Sequence, residues 1–439
     1  MNDIIEKEGS RRKKLLQDNI VKNTLYTLGG KAAAMLLYLA FDIACARILN
    51  PDDYAEWVFF YSILTMMFYI GWCGINTSAK VFISKESSRE YVAKTIQAAF
   101  LLRLIVSFGI SVILISTAHP FARWLGYPNK YPSLYWLFLI AGILVFLNSY
   151  NEFFKELFMG LGDFKRLFVI TILEFSGYFL FSVGFLIPLK RVEAAAFGYA
   201  CSGIVVFLFG LACLRRIAGT GVLPRRVDAY QDTMKAIFKY AIPMAVTSIG
   251  GMVLVEMDTF MLGIFSTKSQ VASYGIAKSL CTKATHINYA LTVGSMTSFS
   301  VMTVENIKEK SSKLKKISGL NALIAIIVAG IFIRLGTFMI TILYGVEYSE
   351  AGKIFIYLAP YYVIYSTSNF FAIFLDFQGR AKIRGICYCT VIVLNLLLNF
   401  LLIPKYGAIG AAVATFLALV PYAFLVFVVT MRVLRRYER

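Results

Sequence analysis

The sequence predicts an all-α polytopic membrane protein with about twelve transmembrane helices, and three observations support this fold class. Of the 439 residues, 59% are hydrophobic and only 16% are charged, against about 25% charged residues in soluble domains. The hydrophobic residues form blocks of about 20 to 25 residues, the length of a membrane-spanning helix, with short polar connections between them. The strict alternation of apolar and polar residues expected of a transmembrane barrel is missing.

The predicted spans follow one another closely, so no connection has room for a separate soluble domain. Their approximate bounds are 24–48, 55–77, 92–117, 133–158, 166–187, 195–214, 238–264, 271–301, 317–343, 353–377, 383–403 and 408–431. Residues 1–23 are polar and precede a full-length span without a small-residue cleavage site, so we expect a cytoplasmic N-terminal segment rather than a removable signal peptide. Residues 432–439 form a basic tail.

Lysine and arginine are distributed unevenly between alternate connections. About 30 of them fall on the side shared by the N-terminal segment, the central connection and the C-terminal tail, against about seven on the other side. This bias predicts that both termini are cytoplasmic. It also explains the net charge of +19 by membrane topology, so we expect no nucleic acid partner.

The sequence gives little support to catalysis. Its seven cysteines lie mostly in apolar segments without metal-binding spacing, so we expect free thiols and no metal site. There is no Walker-type phosphate loop, and no long outward loop gathers the groups that a membrane glycosyltransferase or polymerase needs. We therefore predict that the protein is not an enzyme and carries no cofactor.

An internal repeat with an offset of about 217 residues relates the two halves of the chain. The matching pairs are Asn151-Glu152-Phe153-Phe154 with Ser368-Asn369-Phe370-Phe371, Gly162 with Gly379, Lys165 with Lys382, and Leu186-Ile187-Pro188 with Leu402-Ile403-Pro404. Six spans, an even number, separate the partners, so the halves should share one topology about a pseudo-two-fold axis along the membrane normal. The predicted lobes are 24–214 and 238–431, joined by a cytoplasmic linker at 215–237.

The eighth span carries an unusual polar stripe between residues 275 and 289. The residues within an arc of about 100° are Lys278, Thr282, Thr285, His286 and Tyr289, with Lys283 about 60° beyond His286. A charge at the bilayer centre costs at least about 2.5 to 3.5 kcal/mol, so such groups normally face a protein interior or a water-filled cavity. The two lysines are therefore candidates for substrate binding, and an ion pair with Glu256 or Asp258 is the alternative.

Lys31, Tyr38 and Asp42 share one face of the first span. Lys31 and Asp42 are about 16 Å apart along the helix axis, too far for an ion pair. Lys31 either extends to the cytoplasmic interface or faces the substrate. Asp42 is either a structural partner for a basic residue or a titrating or cation-binding group, and an offset of 216 residues places Asp258 opposite it.

Two further sets of residues have alternative interpretations. Arg103 of the third span and Glu174 of the fifth are expected to form a buried structural pair, with substrate binding as the alternative for Arg103. The aromatic residues of 357–377 either stack on sugars or pack against lipid and neighbouring helices. His286 either forms a hydrogen bond to a neighbouring helix or acts as a pH switch, because an unperturbed histidine titrates near physiological pH.

Several loose motifs resemble those of the polysaccharide-exporter flippases. They are the six-plus-six arrangement, the Phe-Phe and Gly-x-x-Lys repeats, the start of the first span, and the turns Leu125-Gly126-Tyr127 and Tyr344-Gly345-Val346 before spans four and ten. This family contains bacterial O-antigen and capsule repeat-unit flippases, in the superfamily that also holds the multidrug and toxic-compound extruders (MATE). The resemblance implies two lobes in a V, a basic central cavity lined by helices one, two, seven and eight, and transport by alternating access.

The resemblance and the charges together favour a flippase that moves undecaprenyl-type lipid-linked oligosaccharides to the outer leaflet of the inner (plasma) membrane for surface polysaccharide biosynthesis. Expected partners are a polyprenyl-pyrophosphate-linked oligosaccharide, the lipid bilayer, and a polysaccharide polymerase or other assembly proteins. The candidate substrate-binding residues are Lys31, Tyr38, Arg103, Lys278, Lys283 and Tyr289. The candidate coupling residues, for H⁺ or Na⁺, are Asp42, Glu256, Asp258 and His286. The alternative is a multidrug or metabolite antiporter, for which an acidic cavity is expected.

Overall fold

The computed structural model describes residues 2–85, 89–218, 230–296, 299, 307–378 and 380–438. Within these ranges the chain is almost entirely helical and has no β-strand, as the sequence predicts. Its α-helices are α1 Asn2–Ile48, α2 Pro51–Trp72, α3 Ile75–Lys85, α4 Arg89–Trp124, α5 Leu134–Gly160, α6 Phe164–Leu189, α7 Val192–Ala218, α8 Gln231–Phe265, α9 Lys268–Met296, α10 Ile307–Leu343, α11 Glu350–Phe377 and α12 Ala381–Glu438. A 3₁₀ helix, Val346–Tyr348, precedes α11.

Seven described helical segments are long and apolar enough to cross a membrane. They are Leu25–Ile48, Glu90–Trp124, Leu134–Gly160, Phe164–Leu189, Val192–Ile217, Glu309–Leu343 and Cys389–Arg435. Pro51–Trp72 and Ile75–Ser84, bent by 44°, meet the same condition when taken together and raise the number to eight. The chain is therefore a multi-pass membrane protein. α8, α9 and α11 are not among these segments, and they supply most of the polar site described below.

Two predicted spans, 383–403 and 408–431, form the single long helix α12. They meet at Gly407, whose backbone dihedrals (φ 54°, ψ −129°) are not helical. A glycine fits there because a positive φ is sterically unfavourable for residues that carry a Cβ. The backbone N–H of Ala408, next in the chain, donates to Gln270 Oε1 of α9 at 2.8 Å. This bond fixes the kink against α9.

The chain forms two compact units, which we call the first and the second unit. The first contains Met1–Ile48 and Met67–Ser248, and the second contains Leu49–Met66 and Ile249–Arg439. The division therefore runs through α2. The predicted lobe bounds and the linker at 215–237 stay predictions, and residues 219–229 of that linker lie outside the described residues.

The repeated Phe-Phe motif lies in the apolar cores of both units. In the first unit Phe153 and Phe154 of α5 are fully buried, and Gly210 of α7 brings its backbone so close that an added Cβ would lie 2.1 Å from the Phe154 ring. In the second unit Phe370 of α11 is also fully buried. The Phe-Phe motif therefore contributes to helix packing. Polar positions that differ between the two repeats are more informative about function.

Candidate functional site

A pocket inside the second unit gathers side chains from α8, α9, α11 and α12. It is lined by Val255, Asp258, Tyr274, Lys278, Cys281, Thr282, Thr285, Leu358, Tyr361, Tyr365, Val391, Thr415 and Leu419. We call it the second-unit pocket. It brings together Lys278 and Asp258, both predicted as site residues, with the threonines of the α9 stripe and with tyrosines from α11.

Asp258 is the carboxylate of this pocket, and only 2% of its surface is exposed. Its carboxylate accepts hydrogen bonds from Tyr274 OH at 2.9 Å, from Asn399 Nδ2 at 2.7 Å and from Thr415 Oγ1 at 2.6 Å. The donors come from α9 and from both segments of α12. Neutral donors of this kind stabilise a buried carboxylate without cancelling its charge. Asp258 is therefore held in place by three neutral donors.

Further oxygen atoms surround Asp258. Asn395 Oδ1 accepts from Asn399 Nδ2 at 3.0 Å, whereas Asn399 Oδ1 is buried and accepts no hydrogen bond from the described residues. Asn395 Nδ2 donates to Thr415 Oγ1 at 3.4 Å. In the described part of the chain, no group of three or more His, Cys, Asp or Glu side chains is arranged to hold a metal ion.

Lys278 forms an ion pair with Glu256 of α8. The Lys278 Nζ lies 3.0 Å from Glu256 Oε2 and 2.9 Å from Thr259 Oγ1, and the two charged side chains are only 19% and 12% exposed. This is the structural partner that the sequence offered as the alternative for Lys278. The charge of Lys278 is thus compensated inside the second unit.

The repeat shows which of these charges belong to the second half only. At the offset of 216 residues that relates Asp42 to Asp258, Glu256 corresponds to Ala40 and Lys278 to Ser62. Both members of the ion pair are therefore replaced together by small residues. The first half keeps the aspartate and lacks the pair.

Tyr361 and Tyr365 line the pocket from α11. Four residues apart, they lie on one face of the helix, and their ring centroids are 5.7 Å apart at an interplanar angle of 31°. The sequence placed them in the aromatic stretch 357–377 without separating them from its other aromatic residues. Only the packing of α11 against α9 distinguishes the pocket side of this helix.

The other predicted residues of α9 do not line the pocket. Lys283 Nζ donates to Oγ and to the carbonyl oxygen of Ser279, one turn earlier, and its side chain is partly buried. His286 and Tyr289 are exposed. The polar stripe of the eighth span therefore divides into a pocket side, with Lys278, and positions outside the pocket.

The predicted residues of α1 belong to the first unit. Lys31 is exposed and Asp42 is buried. The Tyr38 ring lies 6.3 Å from that of Tyr178 on α6. Phe41 and Tyr199 also pack on Tyr178, each with centroids 4.4 Å apart, so this face of α1 meets an aromatic cluster.

Arg103 is fully buried and binds the end of a broken helix. Its Nη1 donates to Trp72 O at 2.8 Å and its Nη2 to Gly71 O at 2.6 Å, the last carbonyl groups of α2. The chain then turns through Cys73 and Gly74, with φ of 46° and 68°. Carbonyl groups at a helix end have no partner within the helix, and Arg103 satisfies two of them.

The predicted pair of Arg103 and Glu174 is wrong. Glu174 of α6 is paired with Lys155 of α5, with Nζ and Oε2 2.7 Å apart, and Lys155 also contacts Glu152. Opposite charges in two spans suggested a pair, but the sequence could not show that α2 ends beside Arg103 or that Lys155 reaches Glu174.

Several helices apolar enough to cross a membrane, together with a polar pocket inside one unit of the same chain, are features of a membrane transporter. Comparison with known proteins identifies the family to which this chain belongs. A family model described as polysaccharide biosynthesis protein matches residues 20–294, and the chain belongs to this family.

Two relatives carry transport names. "Probable low-salt glycan biosynthesis flippase Agl15" of Haloferax volcanii is 28% identical over 239 residues, which cover 54% of this chain and 49% of the relative. The match thus spans about half the length of that relative. "Putative O-antigen transporter" of Shigella dysenteriae is 22% identical over 373 residues, covering 84% of this chain and 89% of the relative.

Two solved structures show the same fold. An inward-facing multidrug resistance MATE transporter of the MOP superfamily has a TM-score of 0.76 at 13% identity, covering 92% of this chain and 95% of that structure. The lipid II flippase MurJ in an inward closed conformation has a TM-score of 0.68 at 15% identity, covering 94% and 90%. The all-α membrane fold predicted from the sequence is confirmed, and the cytoplasmic position of the termini stays a prediction.

Proposed function

We propose that this protein is a flippase for lipid-linked oligosaccharides. It would move an undecaprenyl-type pyrophosphate-linked repeat unit from the cytoplasmic to the outer leaflet of the plasma membrane, with both of its termini in the cytoplasm. Membership of the polysaccharide biosynthesis family supports the substrate class, and the names of the two relatives agree with it.

The second-unit pocket is the single structural observation that carries the proposal. It gathers polar and aromatic groups in the interior of a membrane protein, where a polar group is costly unless it has a function or a partner. The sugars of a lipid-linked oligosaccharide need polar and aromatic side chains as partners, whereas its polyprenyl chain can remain in the bilayer. The pyrophosphate needs cations, and Lys31, Lys278 and Lys283 are the candidates, because a lysine ammonium binds phosphate as a point charge. Lys31 and Lys283 lie outside the pocket, whereas Lys278 would first have to leave Glu256.

Replacement of these lysines tests the proposal. We expect Lys283→Ala and Lys31→Ala each to lower export of surface polysaccharide by about tenfold, the loss expected for a charge-assisted contact of roughly 1.5 kcal/mol. Polysaccharide on the cell surface would be measured in a strain that lacks the chromosomal gene, with membrane levels of each variant determined in parallel. Lys353→Ala, at an exposed position near the start of α11, is the matched control.

Normal export by Lys31→Ala, Lys278→Ala and Lys283→Ala, each at normal protein levels, would contradict the proposed binding role. Accumulation of lipid-linked repeat units on the cytoplasmic side of a deletion strain would support the flippase directly. Tyr38, Arg103 and Tyr289 remain candidates of the same kind, although Arg103 already has two backbone partners.

We also propose Asp258 as the coupling residue, with H⁺ or Na⁺ as the coupling ion. A proton could bind the carboxylate, and a sodium ion could bind among oxygen atoms of Asp258, Asn395, Asn399 and Thr415, since hard cations prefer oxygen ligands. The buried oxygen of Asn399 without a hydrogen bond supports the second possibility. Asp42, Glu256 and His286 remain the other candidates.

A specific observation also favours a second function, export of organic cations. Asp258 and Lys278 line the second-unit pocket, and Glu256 is the ion-pair partner of Lys278. These three described charges comprise two acids and one cation, so they are not predominantly basic. Susceptibility of a deletion strain to cationic drugs would separate the two functions: hypersensitivity with normal surface polysaccharide would favour the antiporter.

A further inference from the structure

We propose that Tyr361 and Tyr365 form a stacking surface for an uncharged sugar of the transported molecule. This inference rests on the proposed flippase function and assigns one part of the substrate, a neutral sugar ring, to the second-unit pocket. The pyrophosphate would then be bound elsewhere.

Lys278, the one described lysine or arginine that lines the pocket, is already paired, and the neighbouring acid Asp258 repels anions. Lys278 is bound to Glu256 at 3.0 Å, and the Asp258 carboxylate accepts three hydrogen bonds from neutral donors. A phosphate that entered here would have to break the ion pair and approach a buried carboxylate. Removing a charge from its buried partner is unfavourable. The pocket therefore suits an uncharged ligand better than an anionic one.

The aromatic rings suit the apolar face of a sugar. Tyr361 and Tyr365 are partly exposed and follow each other along one face of α11. A pyranose presents C–H groups on its face and hydroxyl groups at its rim, and aromatic side chains offer a large rigid surface with a polar end. Tyr362, between them in sequence, is fully buried, and its hydroxyl donates to Asn288 Oδ1 at 2.5 Å, as expected for a packing role.

Hydroxyl groups on the opposite helix complete the site. Thr282 Oγ1 donates to Lys278 O at 2.8 Å, and Thr285 Oγ1 donates to Thr282 O at 2.6 Å. Both hydroxyl hydrogens are therefore used in bonds to backbone carbonyl groups. Their oxygen atoms can then accept hydrogen bonds. Both threonines line the same pocket as the tyrosines, and a sugar stacked on α11 would offer them its rim hydroxyl groups as donors.

The internal repeat indicates that helix packing at these two positions does not require tyrosine. At the offset of 217 residues that relates Phe153 to Phe370, Tyr361 corresponds to Leu144 and Tyr365 to Asn148. Leu144 is buried, and Asn148 accepts a hydrogen bond from Trp72 Nε1 at 3.0 Å. The two repeat-related positions of the first unit are therefore packed without tyrosine. In the second unit the same positions carry two tyrosines that line the pocket.

Binding to purified protein in lipid nanodiscs tests the inference with two probes. The probes are undecaprenyl diphosphate and undecaprenyl diphosphate carrying N-acetylglucosamine, and the measured quantity is the ratio of their dissociation constants. We expect the sugar-bearing probe to bind wild type roughly three- to tenfold more tightly, the range for one aromatic contact. The double variant Tyr361→Ala/Tyr365→Ala should bring the ratio close to one and leave binding of the sugar-free probe unchanged.

Control variants separate stacking from folding. Tyr361→Phe/Tyr365→Phe should keep most of the ratio, because the rings remain. Tyr357→Ala, on the same helix but outside the pocket, should keep all of it. A wild-type ratio of one, or an unchanged ratio in the double alanine variant, would overturn the sugar site. If both probes still bind, that result would leave the proposed flippase function standing. Binding of neither probe would overturn both.

Discussion

Lys278 and Glu256 show how a charge is tolerated in the interior of the second unit. Each side chain is less than one-fifth exposed, and the ion pair is 3.0 Å long. Removal of one partner from a buried pair typically costs about 3 to 5 kcal/mol, because an uncompensated charge remains, whereas replacement of both is often close to neutral. A loss of export in Lys278→Ala alone would therefore have two explanations, pairing or substrate binding.

The first residue-scale prediction separates these explanations. Lys278→Gln should lower the thermal unfolding midpoint of the purified protein by several degrees, and Lys278→Gln/Glu256→Gln should restore most of the loss. Export is then measured for the stable double variant. If Lys278 serves only to compensate Glu256, export returns with stability, and if it binds substrate, export stays low. A single variant as stable as wild type would show that the pair contributes nothing to stability.

The second residue-scale prediction concerns Asp258. Asp258→Asn keeps the size of the side chain but removes its charge, and we expect it to abolish the dependence of transport on the coupling ion. Transport of a fluorescent lipid-linked sugar into proteoliposomes would be followed with an imposed sodium or proton gradient. Asp42→Asn, at the repeat-related position in the first unit, is the comparison. An unaltered ion response in Asp258→Asn would exclude this residue from coupling.

At the scale of elements, the break between α2 and α3 is the feature that the sequence did not reveal. The prediction of one span at 55–77 follows its unbroken hydrophobicity, yet the chain turns at Cys73 and Gly74. The physical cause is tertiary. A Cβ added to Gly74 would lie 2.4 Å from Ala241 O and 2.8 Å from Met244 Cβ of α8, so α8 occupies the space that a side chain there would need.

Replacement of Gly74 tests this account of the break. Gly74→Ala should lose about 1 to 2 kcal/mol of stability for its left-handed φ of 68° and a further 1 to 3 kcal/mol or so for overlap with α8. Gly162→Ala is a matched control, because Gly162 has a φ of 71° and a Cβ added there would meet no heavy atom of the described residues within 4 Å. Unfolding midpoints of the two variants would be compared, and equal losses would contradict a role for α8.

The helix that binds the break, α4, also explains why charge patterns alone gave a wrong pair. The predicted pairing of Arg103 with Glu174 follows from two opposite charges in the middle of spans. The actual partners of Arg103 are the backbone carbonyl groups of Gly71 and Trp72, which no residue letter encodes. By contrast, Glu256 and Lys278 lie on consecutive helices, so their proximity could be anticipated from the chain order.

At the scale of the whole molecule, the two halves share sequence motifs and differ in chemistry. They share the core phenylalanines and the aspartates Asp42 and Asp258. Around Asp258 the second unit places Asn395, Asn399 and Thr415, whereas α1 of the first unit meets the aromatic cluster at Tyr178. We therefore expect ion coupling and sugar recognition to depend on the second unit, as the variants of Asp258 and of the two tyrosines will test.

The sequence by itself determined the all-α membrane class, the repeat, the family resemblance and the polar stripe of α9. These properties depend on hydrophobic length, residue spacing and charge, which are written along the chain. The tertiary structure decided which polar residues meet: Lys278 with Glu256, Asp258 with Asn399 and Thr415, Arg103 with the end of α2. Partners far apart in sequence become neighbours only through helix packing, and at membrane depth a partner decides whether a charge is structural or available to a ligand.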